Sequence, residues 1–327
     1  MTRFLPDTLV DQSEVLPKMG SWPATVHVFE AETIHAMNAA LAAQRPLLVR
    51  GEPGTGKSQL ARAAAHVLNR AFICEVVHAR SESQDLQWIF DAVGRLGEAQ
   101  TLGRLPQAQI QAQLDPLKFL SPGALWWAFD PKRAEEQYQT CQHNQRKPTG
   151  PVDHGSVLLI DEIDKADADL PNGLLETLGN GAFSVPYLDD PIGLADGIEA
   201  PLVIITTNEE RELPSAFVRR CMVLHLALPT DDTELQGWLK AKGEAHFGKA
   251  CSDAVRDKAA ELLLWDRKAA VKQGVNPPGQ AEYLDMLRAV VAMTTATDDK
   301  AREQEQQAIL AKISQFALKK FSGLSGS

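Results

Sequence analysis

An α/β domain built on a parallel sheet, followed by a small all-helical domain, is the fold class predicted for this chain. Three observations carry the prediction. Short apolar runs at 46–50, 71–77, 157–160 and 201–207 have the length and composition of buried strands. A helical period separates the first two runs, which makes a βαβ unit and implies parallel strands. After Pro229 the strand pattern stops and only helical periods remain. The length of 327 residues agrees with about two domains.

Taken in order, residues 1–27 hold Pro6, Pro17 and Pro23 and read as an irregular N-terminal extension. Glu30–Gln44 reads as a helix, with Ile34, Met37 and Leu41 on one face. Pro46–Arg50 is a strand that stops at Gly51. Gln59–Asn69 is a helix whose Leu60, Ala64, Val67 and Leu68 face a sheet, and Ala71–Val77 is the next strand. Ser83–Leu96 keeps a helical period through Leu86, Ile89, Phe90 and Val93. Gly123–Phe129 is apolar and aromatic; its Trp126 and Trp127 read either as a partner contact or as core, with at least one ring inside. Pro131–Gly155 is almost entirely polar and reads as an exposed insertion. Ser156–Asp161 is a buried strand, Ala168–Gly179 a helix, and 181–198 a hairpin with its loop. Pro201–Thr207 and Cys221–Leu226 complete the strands. Helices follow at Thr230–Gly248, Ser252–Asp266, Gln280–Thr294 and Ala301–Phe321, and the Gly/Ser-rich tail 322–327 is expected to be flexible.

Composition excludes several classes. Hydrophobic residues make up 44% and charged residues 23%, as in ordinary globular chains. The longest apolar runs fall far short of a membrane span, and Met1 to Val10 lacks the apolar stretch of a secretory signal. The charge of −10 disfavours nucleic acid as a partner without excluding a local basic groove. Cys74, Cys141, Cys221 and Cys251 form no CxxC pair, so neither a zinc site nor a disulfide framework is suggested. Cys141 with His143 reads as part of a solvated loop. A cytoplasmic protein is expected.

Gly51-Glu52-Pro53-Gly54-Thr55-Gly56-Lys57-Ser58 fits the phosphate-binding pattern G-x-x-x-x-G-K-[ST]. The glycines let consecutive backbone N–H groups converge on phosphate oxygens, and the helix that begins there adds its positive end. Lys57 is expected on the β- and γ-phosphates, and the Ser58 hydroxyl on Mg²⁺. The pattern lies between a predicted strand and a predicted helix, the context that it requires. Val157–Ile160 then places Asp161 at the carboxyl end of a central strand, the edge where ligands bind in parallel sheets. Asp161 is a candidate Mg²⁺ ligand, and Glu162 is a candidate base for the attacking water. Asn208 ends the strand 201–207 and is a candidate for contact with the γ-phosphate or that water.

Together these residues make the α/β domain a P-loop NTPase sheet, and their order resembles the AAA+ ATPases over roughly residues 28–295. The details are similar to the MoxR-like group: Asp161–Ala166, Pro171–Glu176 and Thr207–Cys221. The resemblance implies that Gly51–Ser58 is the Walker A segment, Asp161 and Glu162 the Walker B pair, and Asn208 the first sensor. It also implies that Arg219 or Arg220 is an arginine finger acting on ATP in a neighbouring subunit. It further implies an AAA+ core over 28–228, a helical lid over 229–321, a homo-oligomeric ring of hexamer type, and ATP with Mg²⁺ as cofactors. The expected partner is a protein client, or a protein with a von Willebrand factor A domain. In one departure, many AAA+ lids carry an arginine at the start of their third helix, where this chain reads Asn276–Glu282 with no arginine. Arg288 lies about two turns further on. His78–Gln84 and 119–129 are the candidate pore-facing segments, and Arg211 is a further candidate for contact between subunits. Two alternatives stand beside this reading: a nucleic-acid-linked motor subunit of a restriction or phage-defence complex, and a slow nucleotide-gated scaffold.

Overall fold

The computed structural model describes residues 4–102, 106–141 and 147–318. His143 and the tail 322–327 lie outside the described residues, as do parts of the segments 99–113, 131–155 and 301–321. In chain order the elements are β1 (Ser13–Leu16), β2 (Thr25–Val28), α1 (Ala31–Ala43), β3 (Leu47–Arg50), α2 (Lys57–Leu68), β4 (Ala71–Val76), β5 (Trp88–Phe90) and α3 (Ala92–Thr101). Then come α4 (Gln107–Gln113), β6 (Leu120–Pro122), α5 (Ala124–Phe129), α6 (Pro131–Thr140), β7 (Ser156–Asp161), α7 (Asp169–Asn180), β8 (Ala182–Phe183) and β9 (Ile192–Gly193). The last are β10 (Leu202–Thr207), α8 (Ser215–Val218), β11 (Met222–His225), α9 (Asp232–Phe247), α10 (Asp253–Lys272), α11 (Gln280–Met293) and α12 (Asp299–Leu318). Among the described residues no helix is long and apolar enough to cross a membrane.

The residues gather into two compact units. One holds residues 4–8, Ala31–Arg50 and Leu60–Leu224. The other holds Leu9–Glu30, Gly51–Gln59 and residues 225–318.

A five-stranded sheet of order β11-β3-β10-β7-β4 organises the first unit. β3, β10, β7 and β4 run parallel, as the βαβ pattern predicts. Their side chains explain the placement: Leu47, Leu48, Val49, Val157–Ile160 and Leu202–Ile205 are all buried. Strands covered on both faces read as continuous apolar runs, because no face alternates with water. Each such side chain contributes about 1.5–3 kcal/mol on burial. The register sets Ile204 beside both Leu47 and Leu159, and Thr207 beside Arg50. The carboxyl ends of β3, β7 and β10 therefore share one edge.

Three expectations change. The helix over 83–96 is absent in its first half: Trp88–Phe90 pairs antiparallel with Leu120–Pro122 instead. The apolar residues at 86–90 suited either period, and tertiary pairing decided. The helical turn is delayed to Asp91, whose carboxylate accepts from the Gly94 N–H at 2.7 Å and caps α3. The polar segment 131–155 begins with a helix rather than an open loop. Asp130 caps α6 and Pro131 occupies its first turn. Gln137, polar but buried, donates to the carbonyls of Leu117 and Leu120, both at 2.7 Å, so its polarity is internal rather than solvent-facing. Finally, Trp126 and Trp127 are both buried with the rest of α5, so 119–129 is core and not a contact surface. The hairpin predicted after Gly181 is present as β8 and β9.

The second unit contains the antiparallel β1–β2 pair and helices α9–α12. Leu235, Leu239, Val255, Leu263, Tyr283, Leu287, Val290 and Leu310 form its core. Asp231 caps α9, accepting from the N–H groups of Thr233 and Glu234, and Ser252 caps α10. Glu30 accepts from the Trp238 indole at 3.0 Å and from Lys242 at 2.9 Å, and the Lys242 ammonium lies 4.8 Å from the Trp238 ring centre.

Candidate functional site

The phosphate loop belongs to the second unit. Gly51 has a φ of +150°, and a Cβ there would meet the Leu226 carbonyl oxygen at 2.3 Å, so only glycine fits. Gly54 (φ +78°) lies where a Cβ would be 3.0 Å from the Ala281 Cβ. Lys57 is buried, and its ammonium donates to the carbonyls of Gly51 and Glu52, both at 2.8 Å. The Thr55 hydroxyl donates to the Glu52 carbonyl at 3.0 Å. These bonds fold the loop back on itself and hold Lys57 against the backbone that would surround an anion. Pro53 lies exposed within the loop, and Ser58 is half-buried in the first turn of α2.

The same loop is tied to the helical segment of its unit. The Ala281 N–H, in the first turn of α11, donates to the Gly54 carbonyl at 3.1 Å. Arg267 of α10 reaches the Glu52 carboxylate at 2.7 Å and the Pro278 carbonyl at 3.0 Å. Sequence reasoning found no arginine at the start of α11 and did not single out Arg267. A residue 13 positions earlier carries no local signal for that contact. Arg288 pairs with Asp285 on its own helix.

The acidic edge belongs to the first unit. β7 delivers Asp161, and the chain then turns through Glu162, which takes a left-handed φ of 60°. A non-glycine residue held there costs on the order of 1–3 kcal/mol, so its surroundings must hold it. They do. The Thr206 hydroxyl donates to Asp161 Oδ1 at 2.5 Å and accepts the Glu162 N–H at 2.9 Å. One buried hydroxyl thus sets both acids. Asn208 Nδ2 donates to Glu162 Oε1 at 3.3 Å, which brings the predicted sensor and the predicted base together. Asp164 is buried; its Oδ2 accepts the Glu210 N–H at 3.0 Å and its Oδ1 the Asn208 N–H at 3.4 Å. The carboxylate of Asp164 therefore shapes the turn that carries Asn208. Sequence reasoning missed Thr206 and Asp164. The signal for both was available, since each is a polar residue beside or within a motif that ends a buried strand.

Beyond Asn208 the chain passes a cavity of about 550 Å³ lined by Thr207, Glu209, Arg211, Leu213, Arg219 and Arg50, among others. Arg50 pairs with Glu209 at 3.3 Å, and Arg211 with Asp167 at 3.3 Å. Arg219 and Arg220 are exposed, and among the described residues neither guanidinium has a partner. Arg219 lines the cavity.

The family model of the AAA domain (dynein-related subfamily) matches residues 46–221, more than half of the chain. A Lon protease of Finegoldia magna is 27% identical over 198 residues, which is 58% of this chain and 19% of that protein. The chain thus spans about a fifth of the length of this curated relative. The solved structure of a candidate ATPase from Cytophaga hutchinsonii aligns with a TM-score of 0.36 and 14% identity, over 88% of this chain and 79% of that one. The chain belongs to the AAA domain family, dynein-related subfamily.

Proposed function

We propose that this protein is an ATP hydrolase, a MoxR-type AAA+ protein that assembles into a homo-oligomeric ring, of hexamer type, and uses ATP hydrolysis to remodel or activate a protein partner in the cytoplasm. A partner with a von Willebrand factor A domain fits the MoxR resemblance. The nucleotide-binding domain is assigned to 28–228 and the lid to 229–321. The observation that carries the ring is Arg219, an exposed residue that lines the cavity beside the end of β10 and whose guanidinium has no partner among the described residues. A surface ion pair would engage that charge within the chain, whereas a finger for a neighbour leaves it disengaged.

In this reading Lys57 and the amides of Gly51–Ser58 bind the phosphates of ATP. Ser58 and Asp161 are hard oxygen donors of the kind Mg²⁺ takes, and they are assigned as its ligands. Mg²⁺ bound with ATP neutralises charge on the phosphates. Glu162, aligned by Asn208, accepts a proton from the attacking water. Arg219 offsets charge that develops on the γ-phosphate in the adjoining subunit.

The test joins assembly to turnover. Light scattering of the Glu162→Gln variant with saturating ATP is expected to give a ring mass, and affinity capture of that ring from native cells a protein client. A monomer at saturating ATP would sink the ring. Salt-dependent DNA binding with ATP would replace the protein client by a nucleic acid.

A further inference from the structure

Arg45 lies between α1 and β3, six residues before the phosphate loop and 174 residues before Arg219, yet it holds the segment that carries Arg219. Gln44 takes a left-handed φ of 51° and the Arg45 N–H donates to the Ala40 carbonyl at 3.1 Å, so the chain turns sharply as it leaves α1. The Arg45 guanidinium then reaches three successive carbonyls. Nε donates to Arg220 O at 2.9 Å, and Nη2 donates to Arg219 O and, at 3.5 Å, to Cys221 O. These carbonyls follow directly on α8, a helix of only four residues. The last carbonyls of a helix lack partners within it and need donors from elsewhere. The Met222 N–H, next in line, donates to the Pro46 carbonyl at 2.8 Å, so the turn is held on the same side by main chain as well.

The result is an arginine whose own backbone is bound while its side chain is disengaged. Arg219 gives its carbonyl to Arg45 and lines the cavity together with Thr207 and Arg50. A flexible turn would spread the Arg219 guanidinium over many positions. A planar fork spanning consecutive carbonyls narrows them, and a lysine, a single compact head, does not reproduce the fork.

We propose that Arg45 is a positioning residue for Arg219. It fixes the main chain from which Arg219 reaches ATP bound by a neighbouring subunit. The proposal rests on the finger reading above, so the experiment separates the two. Full-length Arg45→Ala, Arg45→Lys, Arg219→Ala and Glu162→Gln proteins are compared for ATP turnover, for binding of a fluorescent ADP analogue and for thermal melting. Arg45→Ala is expected to lower kcat by about 10²-fold, the scale of a misplaced group. Nucleotide affinity is expected to stay at the parent level, and Arg45→Lys is expected to fall between parent and Arg45→Ala. Mixing Arg45→Ala with Glu162→Gln subunits is expected to restore turnover above the sum of the two alone, because each supplies what the other lacks. Parent turnover in Arg45→Ala alongside slow Arg219→Ala overturns the role of Arg45 and leaves the finger standing. Parent turnover in Arg219→Ala removes the finger, and the proposal with it. A loss in Arg45→Ala that nucleotide affinity shares, or that mixing does not restore, makes Arg45 merely structural and overturns the proposal as well.

Discussion

The phosphate loop and the acidic edge solve different problems in different ways. The loop is eight consecutive residues, and its shape comes from backbone: glycine torsions, a Cβ-free contact at Leu226, and a lysine held on its own loop's carbonyls. The acidic edge draws on separate strands of the chain, and its shape comes from side chains: Thr206 on Asp161 and Glu162, Asn208 on Glu162, Asp164 on the turn beyond. A backbone site tolerates exchange of most side chains and no added Cβ at the glycines. A side-chain site tolerates no loss of a single hydroxyl or carboxylate.

The sharpest way to break this contrast is to remove one charge from each region. Glu162→Gln is expected to lower turnover by about 10²–10⁴-fold with nucleotide still bound. Lys57→Ala is expected to lose nucleotide binding itself. Titration with a fluorescent nucleotide and a phosphate-release assay report the two quantities separately; equal loss of binding in both variants would erase the distinction.

Next in size is Thr206→Val, nearly the same shape without the hydroxyl. It strands the Glu162 N–H at a cost of about 1–3 kcal/mol. Turnover is expected to fall about tenfold with a lowered melting temperature. A variant that melts lower but turns over at the parent rate would show that the hydroxyl serves folding alone.

The helical unit carries a pH dependence of stability. His27 is half-buried, its ring against Phe29 and its Nε2 enclosed, and desolvation first, then Lys242 and His246, lowers its pKa to about 3. Burial lowers His246 to about 4, with Arg288 and Lys242 adding to it. Between these values and the unfolded value of 6.5 the unfolded chain binds more protons, so stability rises with pH across that window and falls as the medium is acidified. Urea unfolding at pH 7 and pH 5 is expected to show a lower midpoint at pH 5, with a slope of at most about 1.4 kcal/mol per pH unit for each histidine. His27→Phe is expected to keep only the share of His246; an unchanged slope would remove His27 from the account.

The smallest effect concerns the tie between loop and lid helices. A double-mutant cycle of Glu52→Gln with Arg267→Ala is expected to give a coupling below about 1 kcal/mol in stability, because the Glu52 carboxylate is well exposed. A coupling near zero would mean that Arg267 acts through the Pro278 carbonyl alone.

Much of this molecule is legible in its sequence, for reasons that differ by region. The parallel strands at 47–50, 71–76, 156–161 and 202–207 lie within two residues of the runs that predict them, because strands buried on both faces leave unbroken apolar stretches. Two of the C-terminal helices, Asp232–Phe247 and Gln280–Met293, follow their periods equally well, whereas the helix expected over Ser252–Asp266 runs six residues further, to Lys272. Residues 83–96 misled because a short apolar run fits strand and helix alike, and its pairing partner lies some thirty residues away at Leu120–Pro122. Polar residues at 131–140 misled because Gln137 is buried by two carbonyls that no local pattern announces.

The sequence by itself determined the phosphate loop, the strand that ends in Asp161 and Glu162, and the α/β-then-helical order. Local rules suffice there, since a tight anion loop needs glycines in series and a buried strand needs apolar residues in series. Only the tertiary structure decided that Thr206 serves both acids, that Asp164 shapes the turn of Asn208, that Arg267 meets Glu52 and that Arg45 grips the carbonyls of Arg219 and Arg220. These are hydrogen bonds across 44 to 215 residues of chain. Such a bond needs one donor at one place, and a lone polar residue in sequence does not say which distant acceptor the fold will bring to it.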